Sequence, residues 1–241
     1  MASPATLPGM VAAARFLQMG NDPDFANVSL RATFDSGNAL TDYSNTGHTL
    51  TANGTNGAVV GKFGDGNGRV STSSVSRVSV PRNADFEFGS GDFTIECWSH
   101  RNASALATGG LFGYGVDTGN QRAWRCFRSA TVLTFAISSD GTSELTLSGT
   151  IANDSGDDYQ HVAVDREGNT IRLYLDGVMI DSDTFTGSVH APSSGELSLS
   201  GYWAANAQAN HRIDDIRITK GIARYGDDGG FTPPIAALPI S

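Results

Sequence analysis

The stretch HRIDDIRITKGIARYGDDGGFTPP, residues 211–234, decides how the rest of the chain is read. Its middle alternates as a β-strand, with Ile216 and Ile218 on one face and Arg217 on the other. The same period of two, run backwards, puts Asp214 on the isoleucine face and Ile213 on the arginine face. Either a carboxylate enters a core or the strand is irregular at Asp214–Asp215. A buried carboxylate without a partner costs several kcal/mol, so the pair needs either a metal ion or an arginine. Arg212, Arg217 and Arg224 are the arginines nearby in sequence.

Outward from this strand the same alternation recurs. DFTIECW sets Phe93, Ile95 and Cys97 against Thr94, Glu96 and Trp98, and TVLTFAI aligns Leu133, Phe135 and Ile137. TIRLYLDGVMIDSD places Asp176–Gly177 between two alternating runs, a two-residue hairpin signal. Asp140–Gly141 and Glu167–Gly168–Asn169 read as further turns of this kind. Roughly a dozen short strands follow, with turns at about 8–12-residue spacing, the pattern of an antiparallel sandwich or barrel. Longer loops are predicted at 36–48, 101–110, 115–122 and 201–211. Residues 1–24 differ: MVAAARFLQM is the one helix-like run and GNDPD breaks it. The division is therefore an N-terminal arm or short helix over 1–24, a candidate docking segment, and a β-domain over 25–241.

With 241 residues and 39% hydrophobic content, one sizeable core is expected. A net charge of −9 disfavours nucleic acid and anionic membrane, and no apolar run is long enough to span a bilayer. The N-terminus does not read as a secretory signal, so synthesis in a cytoplasm is expected, with Cys97 and Cys126 as two buried free thiols.

Four segments in order, DPDFANVSLRATFD, VPRNADFEFGSGDFTIECW, YQHVAVDREGNTIRLYLDGVMI and IDDIRITKGIARYGDDGGFTPP, resemble the laminin-G-like, concanavalin A-like lectin/glucanase domains of tailed-bacteriophage virion proteins. The resemblance covers most of 22–235 and implies an all-β, two-sheet antiparallel jelly-roll sandwich with the short arm outside it. It also implies a calcium ion at the sandwich edge and binding of carbohydrate or host surface. On it, the first and last strands meet, bringing Asp35 towards Asp214 and Asp215, with Asp42 as a further oxygen donor. Two departures stand out: Cys97 replaces an aromatic, and Arg31 and Thr33 replace aliphatic residues in the opening strand. The second makes that edge polar, or turns it towards a partner.

Enzymatic members of this fold carry Glu-x-Asp-x-Glu on one strand, three carboxylates on one face. No such triplet occurs here; Glu96 stands between Thr94 and Trp98, so no catalytic residue is assigned. No nucleophile elbow, phosphate loop or zinc-type histidine pair is present. Sugars stack on aromatic rings while Asp, Asn and Arg take their hydroxyls. The candidate set is Tyr114, Asp117, Asn120 and Arg122 in FGYGVDTGNQRAW, with Tyr202, Trp203 and Asn206 in GYWAANAQAN. Trp124 and Tyr202 suit the core better than a binding surface, and Trp203, in an Ala/Asn/Gly-rich loop, is the one expected to be exposed. The leading expectation is a non-enzymatic virion protein, a capsid decoration or a tail or fibre accessory. Its partners would be other capsid or tail proteins, copies of itself in a trimer, and host-surface carbohydrate. The alternative is an adhesin whose main task is glycan recognition, and an endoglucanase comes third.

Overall fold

A computed structural model of the chain describes residues 21–34, 40–54, 56–63, 68–71, 76–101, 108–129, 131–151, 159–201 and 211–241. The first strands are β1 (Val28–Ala32), β2 (Thr51–Asn53), β3 (Asn56–Val59), β4 (Gly68–Ser71), β5 (Arg77–Pro81), β6 (Phe93–Arg101), β7 (Gly109–Val116) and β8 (Gln121–Ser129). They are followed by β9 (Val132–Ile137), β10 (Leu145–Thr150), β11 (Gln160–Glu167), β12 (Thr170–Leu175), β13 (Val178–Thr184), β14 (Glu196–Leu199) and β15 (His211–Lys220). Sheet one runs β13-β12-β11-β6-β15-β4-β3, with β1 also on β15; sheet two runs β10-β9-β8-β7-β14-β5-β2. All pairings are antiparallel. The expected two-sheet jelly-roll sandwich is the observed fold. The helix-like run in 1–20 lies outside the described residues.

Alternation builds the core as read. Phe93, Ile95 and Cys97 of β6 meet Leu133, Phe135 and Ile137 of β9 in one apolar cluster between the sheets. Cys97 and Cys126 are both buried and unbridged. Asp176 and Gly177 both take positive φ (50° and 78°), the geometry of a two-residue hairpin turn. Asp140–Gly141 instead sits inside a longer loop, because β9 ends at Ile137 and β10 starts at Leu145. Conversely, the long loop expected at 115–122 is a tight hairpin, with β7 running to Val116 and β8 starting at Gln121.

The irregularity in β15 is a β-bulge. Asp214 pairs with Trp98 and Arg217 with Glu96, so Asp215 and Ile216 together oppose Cys97. Asp215 absorbs the extra residue at φ 53°, a left-handed conformation that aspartate tolerates. The bulge returns Ile213, Ile216 and Ile218 to the core and sends both carboxylates out of it.

The outer face of sheet one is polar in sequence yet buried. A cross-strand row runs Arg31, Arg217, Glu96, Ala163, Tyr174, and each of its members is at most 2% exposed. Its cover is the irregular C-terminal strap, residues 221–241. Phe231 and Tyr225 stack there at 3.6 Å and 6° and pack on Ala163 and Tyr174. The strap lies so close to the β12–β13 turn that a Cβ on Gly177 would stand 1.9 Å from the Phe231 carbonyl oxygen. Arg31, read as marking an edge either polar or turned towards a partner, faces this strap, donating to the Leu238 and Pro239 carbonyls.

The body begins before residue 25. The Asp22 N–H donates to the Ser241 carbonyl at 3.0 Å, and the Asp22 carboxylate receives Arg217 and Arg224, each at 2.8 Å. Asp22, read as part of the arm, is thus bound to the body of the domain.

Candidate functional site

Glu96 is fully buried at the centre of the covered face. Its Oε1 receives Nε and Nη2 of Arg217 (2.9 and 2.6 Å), and its Oε2 receives the Tyr225 hydroxyl (2.5 Å). His161 Nε2 lies 3.1 Å from the same Oε2. Burial alone would raise the Glu96 pKa, but Arg217 and His161 outweigh it and hold the carboxyl well below the usual carboxylate range. Tyr225 is pushed the other way by burial and by the Glu96 charge. This is a carboxylate fixed in its charged form, with no solvent access, beneath a strap of the same chain.

Asp165, also on the outer face, holds the strap from below. Its Oδ2 accepts the N–H groups of Tyr225 (3.0 Å) and Gly226 (2.7 Å). Burial raises its pKa to about 6 against those two hydrogen bonds. A carboxyl whose folded pKa exceeds its unfolded one penalises folding when ionised, so its contribution improves as pH falls through 6 towards 4. Unfolding free energy should rise by about 1.4 kcal/mol from about pH 8 to about pH 5 relative to Asp165→Asn, whose amide oxygen still accepts both N–H groups. Paired urea titrations check this; parallel pH profiles would contradict it.

Three of the four aspartates predicted to hold calcium are described, and each faces donors of the chain itself. Asp215 is ion-paired with Arg31 and accepts the Leu238 N–H at 2.9 Å. Asp214 accepts the N–H groups of Lys62 (2.7 Å) and Phe63 (3.3 Å). Asp42 accepts N–H from Arg31, Ser44 and His48 and the Ser44 hydroxyl, all within 3.0 Å. Asp35 lies outside the described residues. Calcium needs six to eight oxygens free to face it, whereas both oxygens of Asp42 and of Asp215, and Oδ2 of Asp214, are taken by N–H groups, a hydroxyl or a guanidinium. Among the described residues no three His, Cys, Asp or Glu side chains gather to hold a metal. The three described aspartates thus do not fit a shared calcium ion. The arginine alternative applies to Asp215, although its partner is Arg31 rather than Arg212, Arg217 or Arg224.

Of the predicted sugar-binding residues that are described, Tyr114 parts from Asp117, Asn120 and Arg122. Tyr114 is fully buried, stacked on Trp124 with centroids 5.8 Å apart, and its hydroxyl donates to the Asn83 carbonyl at 2.9 Å. It is core, because alternation with Phe112 places it on the inner face of β7. Trp124 is core as well. Asn120 is exposed at the β7–β8 tip, where Arg122 binds Asp117 at 2.8 Å and the Thr142 carbonyl at 2.9 Å. Tyr202, Trp203 and Asn206 lie outside the described residues.

The tip belongs to an end of the sandwich where 82–92, 138–144 and 185–195 also gather. Arg166, buried in this end, donates to the carbonyls of Gly168, Gly89, Phe185 and Gly187 at 2.8–3.2 Å. Burial lowers its pKa, the mark of a guanidinium bound by carbonyls without a contacting carboxylate. It fixes three loops against one another.

A protein-family model, Laminin_G_3, described as the concanavalin A-like lectin/glucanases superfamily, matches residues 66–222. The chain belongs to this family. No curated protein sequence matches it. Among solved structures the laminin-G-like chain is similar to the binding domain of Paraclostridial Mosquitocidal Protein 1, with TM-score 0.64 and 17% identity over 83% of this chain and 50% of that one. It is also similar to the receptor-binding domain of botulinum neurotoxin C/D mosaic serotype, with TM-score 0.65 and 12% identity over 83% and 49%. A third is the botulinum neurotoxin serotype D ligand-binding domain in complex with N-acetylneuraminic acid, with TM-score 0.62 and 12% identity over 83% and 49%. The laminin-G-like chain spans about half the length of each. At these identities the likeness is one of fold.

Sequence reasoning missed the role of the strap. Its signal was present in ARYGDDGGF, two aromatics among glycines after a strand that ends at Lys220, but no periodicity says which face such a segment covers.

Proposed function

We propose that the chain is a non-catalytic, lectin-like domain carried on a tailed-phage particle, as a capsid decoration or a tail or fibre accessory, and that it recognises saccharide on the host surface. The state of Glu96 carries the non-catalytic half of this reading. Glycoside hydrolysis needs two carboxyl groups facing the scissile bond, one able to give up a proton. Glu96 is the strand carboxylate at the position considered for catalysis, and Arg217, His161 and Tyr225 hold it ionised and out of reach of substrate. The binding half is supported by the family and by a fold shared with domains named for receptor binding. The particle assignment is supported by the ordered resemblance of four segments to phage virion domains.

Purified particles, digested and analysed by mass spectrometry, should contain the chain, and the isolated domain should bind on a glycan array. Neither it nor Glu96→Gln should release reducing sugar from β-glucans. Hydrolysis abolished by Glu96→Gln would overturn the reading. Glycan binding by a chain absent from particles would favour the adhesin alternative.

A further inference from the structure

A cleft of about 350 Å³ opens where the start of β1, the loop after Asp42, the 3-10 turn Ala84–Phe86 and the end of β15 meet. Asn27, Ser29, Asn45, Thr46, Asp85 and Lys220 supply its polar lining. None of them belongs to the candidate sugar or metal sets discussed above. The geometry points to this cleft as a binding site for a neutral monosaccharide unit, engaged through adjacent hydroxyls; the inference rests on the saccharide reading and gives it a location.

The lining is preorganised. Asp42 collects the N–H groups of Ser44 and His48, which fixes the loop carrying Asn45 and Thr46. The Thr46 hydroxyl lies 3.3 Å from that of Ser44. His48 packs its ring on Phe86 at 4.9 Å and aims Nε2 at Asp85 Oδ2, 3.1 Å away. That nitrogen is buried, in a side chain 8% exposed, and makes no well-directed hydrogen bond. The Asp85 side chain is 34% exposed and so is open to the cleft. Across from it, Lys220 Nζ donates to the Ala84 carbonyl at 2.7 Å, and Asn27 Nδ2 donates to the Lys220 carbonyl at 3.3 Å. No ion pair joins Lys220 to Asp85, so an ammonium with protons to spare and a carboxylate with lone pairs to spare share one small space.

That donor set selects the ligand class. The carboxylate disfavours an anion and the ammonium disfavours a cation. Among the described residues the lining holds no aromatic ring, which disfavours a flat apolar ligand. A carboxylate accepts two neighbouring O–H groups, while ammonium and amide N–H groups donate to sugar oxygens. The volume falls at the low end of ligand pockets, roughly 300–1,000 Å³, which suits one small polar molecule.

The test is saturation-transfer NMR on the full chain with glucose, galactose, mannose, N-acetylglucosamine and N-acetylgalactosamine as separate probes. At least one sugar should receive saturation from the parent protein. Its affinity should fall at least about tenfold in Asp85→Ala and, independently, in Lys220→Met. Ile235→Ala, at an exposed point of the strap away from the cleft lining, should bind as the parent does, and matched melting temperatures establish that each variant is folded. If a sugar binds and both cleft variants retain it, the cleft assignment is overturned while the saccharide reading stands. If neither these sugars nor a glycan array gives binding to the parent, both fall.

Discussion

Removing residues 221–241 should leave a chain that does not fold cooperatively. The truncation uncovers Tyr174 and Ala163, takes the Tyr225 hydroxyl from Glu96, and strips Asp165 of both its backbone donors. It also takes the Leu238 N–H from Asp215 and the Leu238 and Pro239 carbonyls from Arg31. A domain's whole stability is about 5–15 kcal/mol. Each buried charge or polar group deprived of its partner costs about 1–3 kcal/mol or more, so the sum of these losses consumes it. Circular dichroism should show no sigmoidal melt, and the product should partition into the insoluble fraction. A milder cut that deletes 232–241 keeps the Tyr225–Phe231 stack and should leave a cooperative melt at lower temperature. A full truncation that melts within a few degrees of the intact chain would show that the strap is an appendage.

The second large effect is expected from Arg217→Met. Arg217 joins Glu96 to Asp22, and so ties the centre of sheet one to the first residues of the body. Glu96 raises the Arg217 pKa against the effect of burial, which reports how strongly the pair favours its charged form. A neutral side chain of similar length leaves the Glu96 charge with one hydroxyl and one imidazole in a dry site. Breaking a buried pair from one side costs roughly 3–5 kcal/mol. Denaturant midpoints should show a loss of that size. Adding Glu96→Gln to the variant should recover part of it, because the uncompensated charge then disappears. A double variant no more stable than Arg217→Met alone would mean that packing, rather than charge, accounts for the loss.

Much of this fold was legible in the sequence because its strands obey simple alternation. Phe93, Ile95 and Cys97 face inward as read, and the Asp176–Gly177 turn has the dihedrals its composition demands. Even the irregularity at Asp214–Asp215 was visible as a break in phase, and the bulge is the physical form of that break. What could not be read was the partner of each polar side chain on the outer face. Glu96 looked like an exposed or hydrogen-bonded strand residue because the guanidinium that holds it, Arg217, lies 121 positions away in sequence. Arg31 looked like an edge residue because the strap that buries it begins some 190 positions later. Tyr114 was placed in a surface loop although Phe112 and Tyr114 alternate, because the Asp-Thr-Gly-Asn turn after them outweighed the pattern. The cleft residues Asn27, Asp85 and Lys220 form no motif: β1 pairing with the end of β15 sets Asn27 beside Lys220, whose Nζ reaches the Ala84 carbonyl next to Asp85.

The claim on which the rest depends is that Glu96 is a structural anion and the domain a binder. Its carboxyl carbon, labelled with ¹³C and followed by NMR from neutral pH downward, reports the ionisation directly. The pKa is depressed, so the stabilisation that Glu96 provides is present above the carboxylate's ordinary titration range and is lost only well below it. The resonance should stay at its ionised position until the protein unfolds in acid. A titration centred near neutrality, where a general acid must hold its proton, would contradict the account.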